Sequence, residues 1–189
     1  MDILIAMFAG LALSAAAGFR VFVPLLLVGL AARLGYLRLT SDMAWLGSDA
    51  ALVALATATA LEVSAYYVPW LDNLLDTLAT PVAVMAGVVA WAAVTPELPP
   101  LLRWTLAVVA GGGTAGFIQA GTAAVRLKSS AFTAGLGNVV LATGELIGSL
   151  ALTVLALLVP LIAAVLVLAL LGLLGWRLAG LLRTTSGRT

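Results

Sequence analysis

The stretch LSAAAGFRVFVPLLLVGLAARLG, residues 13–35, joins two strongly apolar segments through a Gly-Phe-Arg junction. Five more apolar segments follow in the 189-residue chain, and one water-soluble core cannot bury so many. Of all residues, 63% are hydrophobic and 9% are charged, whereas a soluble domain is about one-quarter charged. The mean hydropathy is +1.21. These values predict an all-α, polytopic transmembrane helical bundle and exclude a soluble enzyme, a nucleic-acid binder and a disordered chain.

The absence of two residue types limits the kinds of metal, redox and cross-link sites that the chain can form. The chain has no cysteine and no histidine, so disulfides, iron–sulfur clusters, haem and the usual zinc or copper sites are not expected. The sequence also shows no nucleophile–base pair and no phosphate-binding loop. We therefore expect a non-enzymatic protein with no metal and no cofactor. The net charge of +1 points to no particular partner.

The apolar segments, here called A to G, cover residues 3–17, 19–34, 50–68, 81–94, 101–127, 131–159 and 160–182. Segment A is read as a retained membrane helix, because a signal peptide needs a basic start and no basic residue precedes Arg20. Residues 184–189 are expected to form a frayed tail.

Three landmarks recur in the same order in the two halves of the chain, residues 1–98 and 99–183. The first half reads AAGF, LATATALE and a Val-Pro at 68–69, and the second reads TAGF, LATGE and a Val-Pro at 159–160. This order predicts two pseudo-repeated halves with broken or re-entrant helices, an organisation frequent in transporters.

The basic residues suggest a topology. If segment E turns back at GGGTAG, residues 111–116, eight of the nine basic residues and the C-terminus lie on one side, which is then cytoplasmic. If E crosses once, the basic residues divide three to five with no orientation signal. The hairpin model is preferred. Segments A and B then form a matching hairpin that turns near residues 14–18, with one kinked helix as the alternative.

Glu62 and Glu145 are the main candidates for a functional site. Each is predicted near the middle of a membrane helix, where an ionisable group costs about 3 kcal/mol on insertion scales. Such residues usually face the bundle interior, so both are candidate proton carriers or cation sites. The alternative is structural, with two glutamates that hydrogen-bond between helices.

Arg20 and the glycine run are candidates for binding anions. Arg20, at the junction of A and B, could pair with a glutamate, hold an anionic group or reach the lipid headgroups. Amides exposed at Gly111, Gly112 and Gly113 could attract an anion if a helix begins there. Close helix packing is the alternative for this run, which belongs to one GxxxG pattern (112 and 116), and for a second GxxxG (144 and 148).

Other polar residues are secondary candidates. Gln119 and Asn138 could complete a polar cavity, and Asn138 shares a helix face with Glu145. Asp72 and Asp76 lie four residues apart in PWLDNLLDTLATP, which is read as a short amphipathic helix at the membrane interface. An aromatic belt of Tyr66, Tyr67 and Trp70 is expected beside it.

Several of these motifs resemble a family of small bacterial inner-membrane proteins, catalogued as domain of unknown function 4126. The resemblance rests on AGFRVFVPLLLVGLAARLG, Glu62, VPWLDNLLDTLATP and Asn138 with Glu145. It implies a bacterial inner-membrane location and no established activity. The chain departs from the family pattern at Asn138-Val139, where Asn-Pro is expected, at the lone Glu145, where an acidic pair is expected, and at Gln119, where a lysine is expected.

Three functions are compatible with these residues. The first is a small secondary transporter or permeation pathway that uses Glu62 and Glu145. The second is a lipid carrier or scramblase in which Arg20 and the glycines bind a lipid phosphate. The third is a non-transporting scaffold subunit with a dry interior. Membrane lipids and an unidentified solute, ion or lipid are the expected partners, a homo-oligomer is possible, and nucleic acid is not expected.

Overall fold

The structure is a computed structural model that describes residues 2–67, 69–95, 98–133 and 135–186, of which residues 69–78 and 178–186 are described in backbone only. Most of these residues are helical and none of them forms a strand, which confirms the all-α prediction for the described part of the chain. The α-helices, in chain order, are α1 Ile3–Phe19, α2 Phe22–Arg33, α3 Asp49–Ala65, α4 Pro69–Val94, α5 Pro100–Leu106, α6 Gly113–Thr133, α7 Leu136–Leu158 and α8 Pro160–Ser186.

Two further helical pieces connect them. A 3₁₀ helix, Ser41–Gly47, precedes α3, and a π-helical turn, Ala107–Gly112, joins α5 to α6. Three apolar helices within the described ranges are long enough to cross a membrane: Pro100–Thr133, Leu136–Leu158 and Pro160–Arg177. A fourth span is formed if the 3₁₀ helix and α3, bent by 63°, count together. The chain therefore has the helices of an integral membrane protein.

Helix α1 is the centre of the bundle. It packs against α4, α6, α7 and α8, and its side chains from Ala12 to Ala17 are fully buried. Most of these side chains are alanines, so neighbouring backbones can approach closely, as small residues permit in membrane bundles. The outer face of α8 carries exposed leucine and valine side chains, which suit a lipid surface. The bundle thus has a compact small-residue core and an apolar exterior.

Glycines set the closest helix contacts. A Cβ atom built on Gly18 would lie 2.6 Å from the Ala115 carbonyl oxygen, and one built on Gly87 would lie 2.7 Å from the Gly111 carbonyl oxygen. The Ser14 hydroxyl donates to the Gly87 carbonyl at 2.9 Å, which holds α1 to the same point on α4. Helix α4 therefore approaches the π-helical turn closely at its glycines, and the Ser14 side chain joins it to α1.

The segment before α3 is held at one end of the bundle by polar contacts. The Thr40 amide donates to the Ala93 carbonyl at 3.2 Å, and Arg103 forms an ion pair with Asp42 at 2.5 Å. A second ion pair, between Arg33 and Asp49 at 2.7 Å, is exposed. These contacts bind the 3₁₀ helix to α4 and α5.

Of the two predicted helix breaks, one is absent from the structure and the other is shifted along the chain. The chain is helical through residues 111–116, with Gly113 at φ −60° and ψ −46°, so the predicted hairpin in segment E is wrong. A π-helical turn takes its place, because a helix that accommodates one extra residue per turn can pass α4 closely without reversing. Helix α1 likewise continues through residues 14–18, and the break falls at Arg20 and Val21.

The predicted interfacial linker and segment D form one helix. Helix α4 runs from Pro69 through Pro81 to Val94, so Pro81 lies inside the helix and does not begin one. A proline removes one backbone hydrogen bond, and a packed membrane helix tolerates this loss. The side chains of Asp72, Asp76 and Trp70 lie outside the described residues. The two-repeat organisation stays a prediction.

The two GxxxG patterns differ in the structure. Gly112 and Gly116 face valines of α4, with built Cβ atoms 3.0 Å and 2.8 Å from Val88 and Val84. Gly144 and Gly148 have open space around their Cβ positions. Among the described residues, only the first pattern contributes to helix packing.

We expect Gly87→Ala to destabilise the protein by about 1–3 kcal/mol, because the added Cβ would lie 2.5 Å from the Ala115 Cβ in a tightly packed contact. Gly144→Ala is the matched control and should be neutral or stabilising by up to about 1 kcal/mol, since alanine favours helix. Unfolding of the two purified variants in mixed micelles with increasing dodecyl sulfate, followed by tryptophan fluorescence, measures the difference. Equal stabilities would contradict the packing argument.

Candidate functional site

The break between α1 and α2 places Arg20 inside the bundle. Arg20 is extended, at φ −144° and ψ 121°, and its amide donates to the Ala16 carbonyl as the last bond of α1. Helix α2 then begins anew, so its first amides have no carbonyl in the preceding turn. The break thus creates both a buried side chain and a free helix start.

Glu62 satisfies that helix start from another helix. Its two carboxylate oxygens accept from the amides of Val21 at 2.8 Å and Phe22 at 3.2 Å. A carboxylate at a helix N-terminus is also favoured by the helix dipole. Glu62 therefore acts as an external cap that joins α3 to the break. It lies in the last turn of α3, so the prediction that it occupies the middle of its helix is wrong, because α3 ends at Ala65.

The Arg20 side chain is buried, with 1% of its surface exposed. Its Nη2 atom donates to the Ala142 carbonyl at 2.6 Å and lies 3.5 Å from Oε2 of Glu145. Its Nε and Nη1 atoms are buried without a hydrogen-bond partner among the described residues. A buried donor without an acceptor costs about 1–3 kcal/mol, and more when it is charged.

Arg126 and Glu145 form a bidentate ion pair between α6 and α7. Arg126 Nε donates to Glu145 Oε1 at 3.1 Å, and its Nη2 contacts Glu145 Oε2. Both side chains are buried, Arg126 to 1% exposure and Glu145 to 8%. A two-point guanidinium–carboxylate pair is the arrangement that best offsets the loss of hydration.

Tyr66 completes the cluster at the end of α3. The guanidinium carbons of Arg20 and Arg126 lie over its ring, 4.1 Å and 4.0 Å from the centroid. An aromatic ring stabilises a desolvated cation by about 2 kcal/mol or more. The buried Tyr66 ring therefore helps two like charges to remain close together in an apolar interior.

The cluster contains two cations and two anions, but each cation is not paired equally well with an anion. Arg20 and Arg126 are opposed by Glu62 and Glu145. The Glu145 oxygens are bonded to Arg126, and the Glu62 oxygens are bonded to the α2 amides. Arg20 is thus the cation with the least direct compensation, and its free donors are suited to the oxygen atoms of an anion.

The structure brings together three of the residues predicted from sequence, Arg20, Glu62 and Glu145. Gln119 is buried on α6, and its Nε2 atom has no partner among the described residues. Asn138 donates to the Ser130 hydroxyl at 2.8 Å, across the α6–α7 connection. Gln119 lies seven residues before Arg126 on α6, and Asn138 lies seven residues before Glu145 on α7, so each shares a helix face with a member of the cluster.

The glycine run contributes to packing. Gly111 and Gly112 are buried against α4, and the chain is helical on both sides of them. Their amides are therefore not presented at the start of a separate helix, and the packing alternative is favoured over an anion site at Gly111, Gly112 and Gly113. Within the described ranges, no group of three or more acidic residues is placed to hold a metal ion.

Two members of the cluster were not predicted. The hairpin model places Arg126 at the cytoplasmic end of segment E, which ends at residue 127, and not inside the bundle. Its position seven residues after Gln119, on the same helix face, is a signal that could have placed it inside. Tyr66 was assigned to an interfacial belt, although it follows Glu62 by four residues and so lies on the same side of α3.

We expect Arg126→Met to destabilise the protein by about 3–5 kcal/mol, because it leaves the buried Glu145 carboxylate without its main partner. Arg33→Gln is the control, since it breaks an ion pair whose side chains are 53% and 79% exposed and should cost less than about 1 kcal/mol. Unfolding in the same mixed micelles gives both values. A loss of similar size in the two variants would show that the buried pair is not structurally important.

Comparisons with known proteins place the chain in a family without assigning an activity. No curated protein and no solved structure matches it significantly. The family model described as Domain of unknown function (DUF4126) matches residues 7–179, which include α2 to α7 and every member of the charged cluster. This match confirms the resemblance seen in the sequence, and the chain belongs to the DUF4126 family.

Proposed function

We propose that this protein is a small, non-enzymatic membrane transport protein that binds an anionic group at Arg20. The supporting observation is the Arg20 guanidinium, whose Nε and Nη1 atoms are buried and have no acceptor in the described part of the chain. Arginine presents its donors in a rigid planar fork that matches carboxylate and phosphate oxygens. The oxygen atoms of a bound anion would accept hydrogen bonds from these two nitrogen atoms.

The surroundings of Arg20 support an anion more than a proton or a cation. Both carboxylates of the cluster already accept hydrogen bonds, Glu145 from Arg126 and Glu62 from the α2 amides. A cation would have to displace one of these partners, whereas an anion needs only the open Arg20 donors. Transport of protons or cations by Glu62 and Glu145, the first expectation from sequence, therefore has the weaker support.

The position of Arg20 also suits transport. It occupies the break between α1 and α2, and broken helices line the substrate sites of many transporters. Its 1% exposure corresponds to an occluded arrangement, so anion binding requires a movement at this break. The extended Arg20 and the cap from Glu62 are the natural places for that movement, because no continuous helix has to be unwound there.

The location is part of the same proposal. We place the protein in a bacterial inner membrane, as the family resemblance implies. Because segment E crosses once, the basic residues divide between the two sides and give no orientation signal, so the cytoplasmic location of the basic loops and the C-terminus stays a prediction.

We expect Arg20→Lys to abolish anion transport while the protein still inserts, because lysine keeps the charge but loses the planar donors. Proteoliposomes with wild-type protein are assayed for efflux of radiolabelled phosphate and, separately, for transbilayer movement of a fluorescent phosphatidylglycerol. At least one activity should exceed that of protein-free vesicles, and Arg20→Lys should reduce it at least tenfold.

Arg33→Gln is the matched control, because this exposed arginine lies outside the cluster, and it should keep wild-type transport. Wild-type vesicles that move neither phosphate nor lipid would overturn the proposal and favour a scaffold subunit. Proton flux that is lost in Glu62→Gln and kept in Arg20→Lys would favour the glutamate pathway.

A further inference from the structure

An apolar groove lies between the end of α1, α7 and α8. Its volume is about 220 Å³, and every residue that lines it is apolar or glycine. Residues from all three helices contribute to it, among them Phe19, Gly148, Leu152, Leu155, Val167 and Leu170. An apolar cavity of about 150 Å³ is enough to hold a benzene molecule. The groove is therefore large enough for part of a hydrocarbon chain.

The groove adjoins the charged cluster through two of its lining residues. Phe19 directly precedes Arg20 in the chain, and Gly148 follows Glu145 by three residues, so it lies on the neighbouring turn of the same α7 face. The Ser149 hydroxyl donates to the Ala16 carbonyl at 3.0 Å and holds α7 against α1 at this level. An apolar surface and a cation with free donors thus meet where α1 ends.

The groove is left open by the protein itself. A Cβ atom built on Gly148 would have no heavy atom within 4 Å, and Leu166 on the α8 side is 51% exposed. In a membrane protein such an opening faces lipid. Since an unfilled void forfeits van der Waals contacts, a hydrocarbon chain is the occupant that fits both the lining and the surroundings.

We infer that the groove holds an acyl chain of a phosphate-bearing anionic lipid whose headgroup reaches the Nε and Nη1 atoms of Arg20. This inference rests on the proposed anion site and names its substrate class. The charge of Arg20 complements the phosphate, and the apolar lining complements the chain. A free inorganic anion would use the Arg20 donors alone and would leave the groove without a role.

Native mass spectrometry of the full chain, released from detergent with added phosphatidylglycerol or phosphatidylcholine, tests the inference. We expect wild-type protein to retain one phosphatidylglycerol with at least tenfold preference over phosphatidylcholine. Gly148→Leu fills the groove and should reduce this retention at least tenfold, and Ala151→Leu, a second change in the lining, should act in the same direction. Gly144→Leu, on the same helix with open space but outside the lining, is the matched control and should retain the lipid.

The remaining outcomes separate this inference from the proposed function. In one outcome, inorganic phosphate raises the melting temperature of wild-type and Gly148→Leu protein equally but does not change that of Arg20→Lys, and wild-type protein retains no lipid. That outcome would overturn the lipid inference and support the anion site. Both fail if neither phosphate nor phosphatidylglycerol binds wild-type protein. Equal retention of phosphatidylglycerol in Gly148→Leu, Ala151→Leu and Gly144→Leu would exclude the groove as the lipid site. A wild-type dimer that is lost when the groove is filled would also exclude it, because a second copy of the chain would then be the occupant.

Discussion

The burial of the charged side chains of Arg20, Arg126 and Glu145 is the constraint on which the structure depends. Charged groups inside an apolar bundle have to obtain from the protein the hydrogen bonds and opposite charges that water would otherwise provide. The bundle provides them through the Arg126–Glu145 pair, the α2 amides on Glu62 and the Tyr66 ring under both guanidiniums. Four separate helices, α2, α3, α6 and α7, are joined in this way around the end of α1.

The small residues of α1 and α4 serve the same arrangement. Close contacts at Gly18, Gly87 and Gly111 bring the helices near enough for the charged side chains to meet. In lipid, helix association depends on such contacts and on hydrogen bonds, because burial from water contributes little there. The alanine-rich α1 therefore acts as the axis around which the charged groups converge.

Arg20 differs from the other charged members, and the proposed function rests on this difference. A guanidinium that keeps two nitrogen atoms unbonded in a buried site is energetically costly to the folded protein. Polar groups at membrane depth are usually retained for a functional reason. An anionic ligand would remove this cost, and the apolar groove beside the same helix end would accommodate the hydrocarbon part of a lipid.

Composition and residue pattern alone determined the membrane class and the helical architecture, and they selected Arg20, Glu62 and Glu145 as candidates that the structure brings together. These features follow from residue content, because apolar helices in lipid bury their own backbone polarity and ionisable groups among them stand out. Only the tertiary structure decided that the GGGTAG run passes α4 as a helix, and that Arg126 and Tyr66 enter the cluster. Local sequence carries no information on which distant carbonyl or carboxylate a side chain will contact. Those partners determine whether a glycine run forms a turn or a helix-packing contact, and whether a buried charge is paired or unpaired.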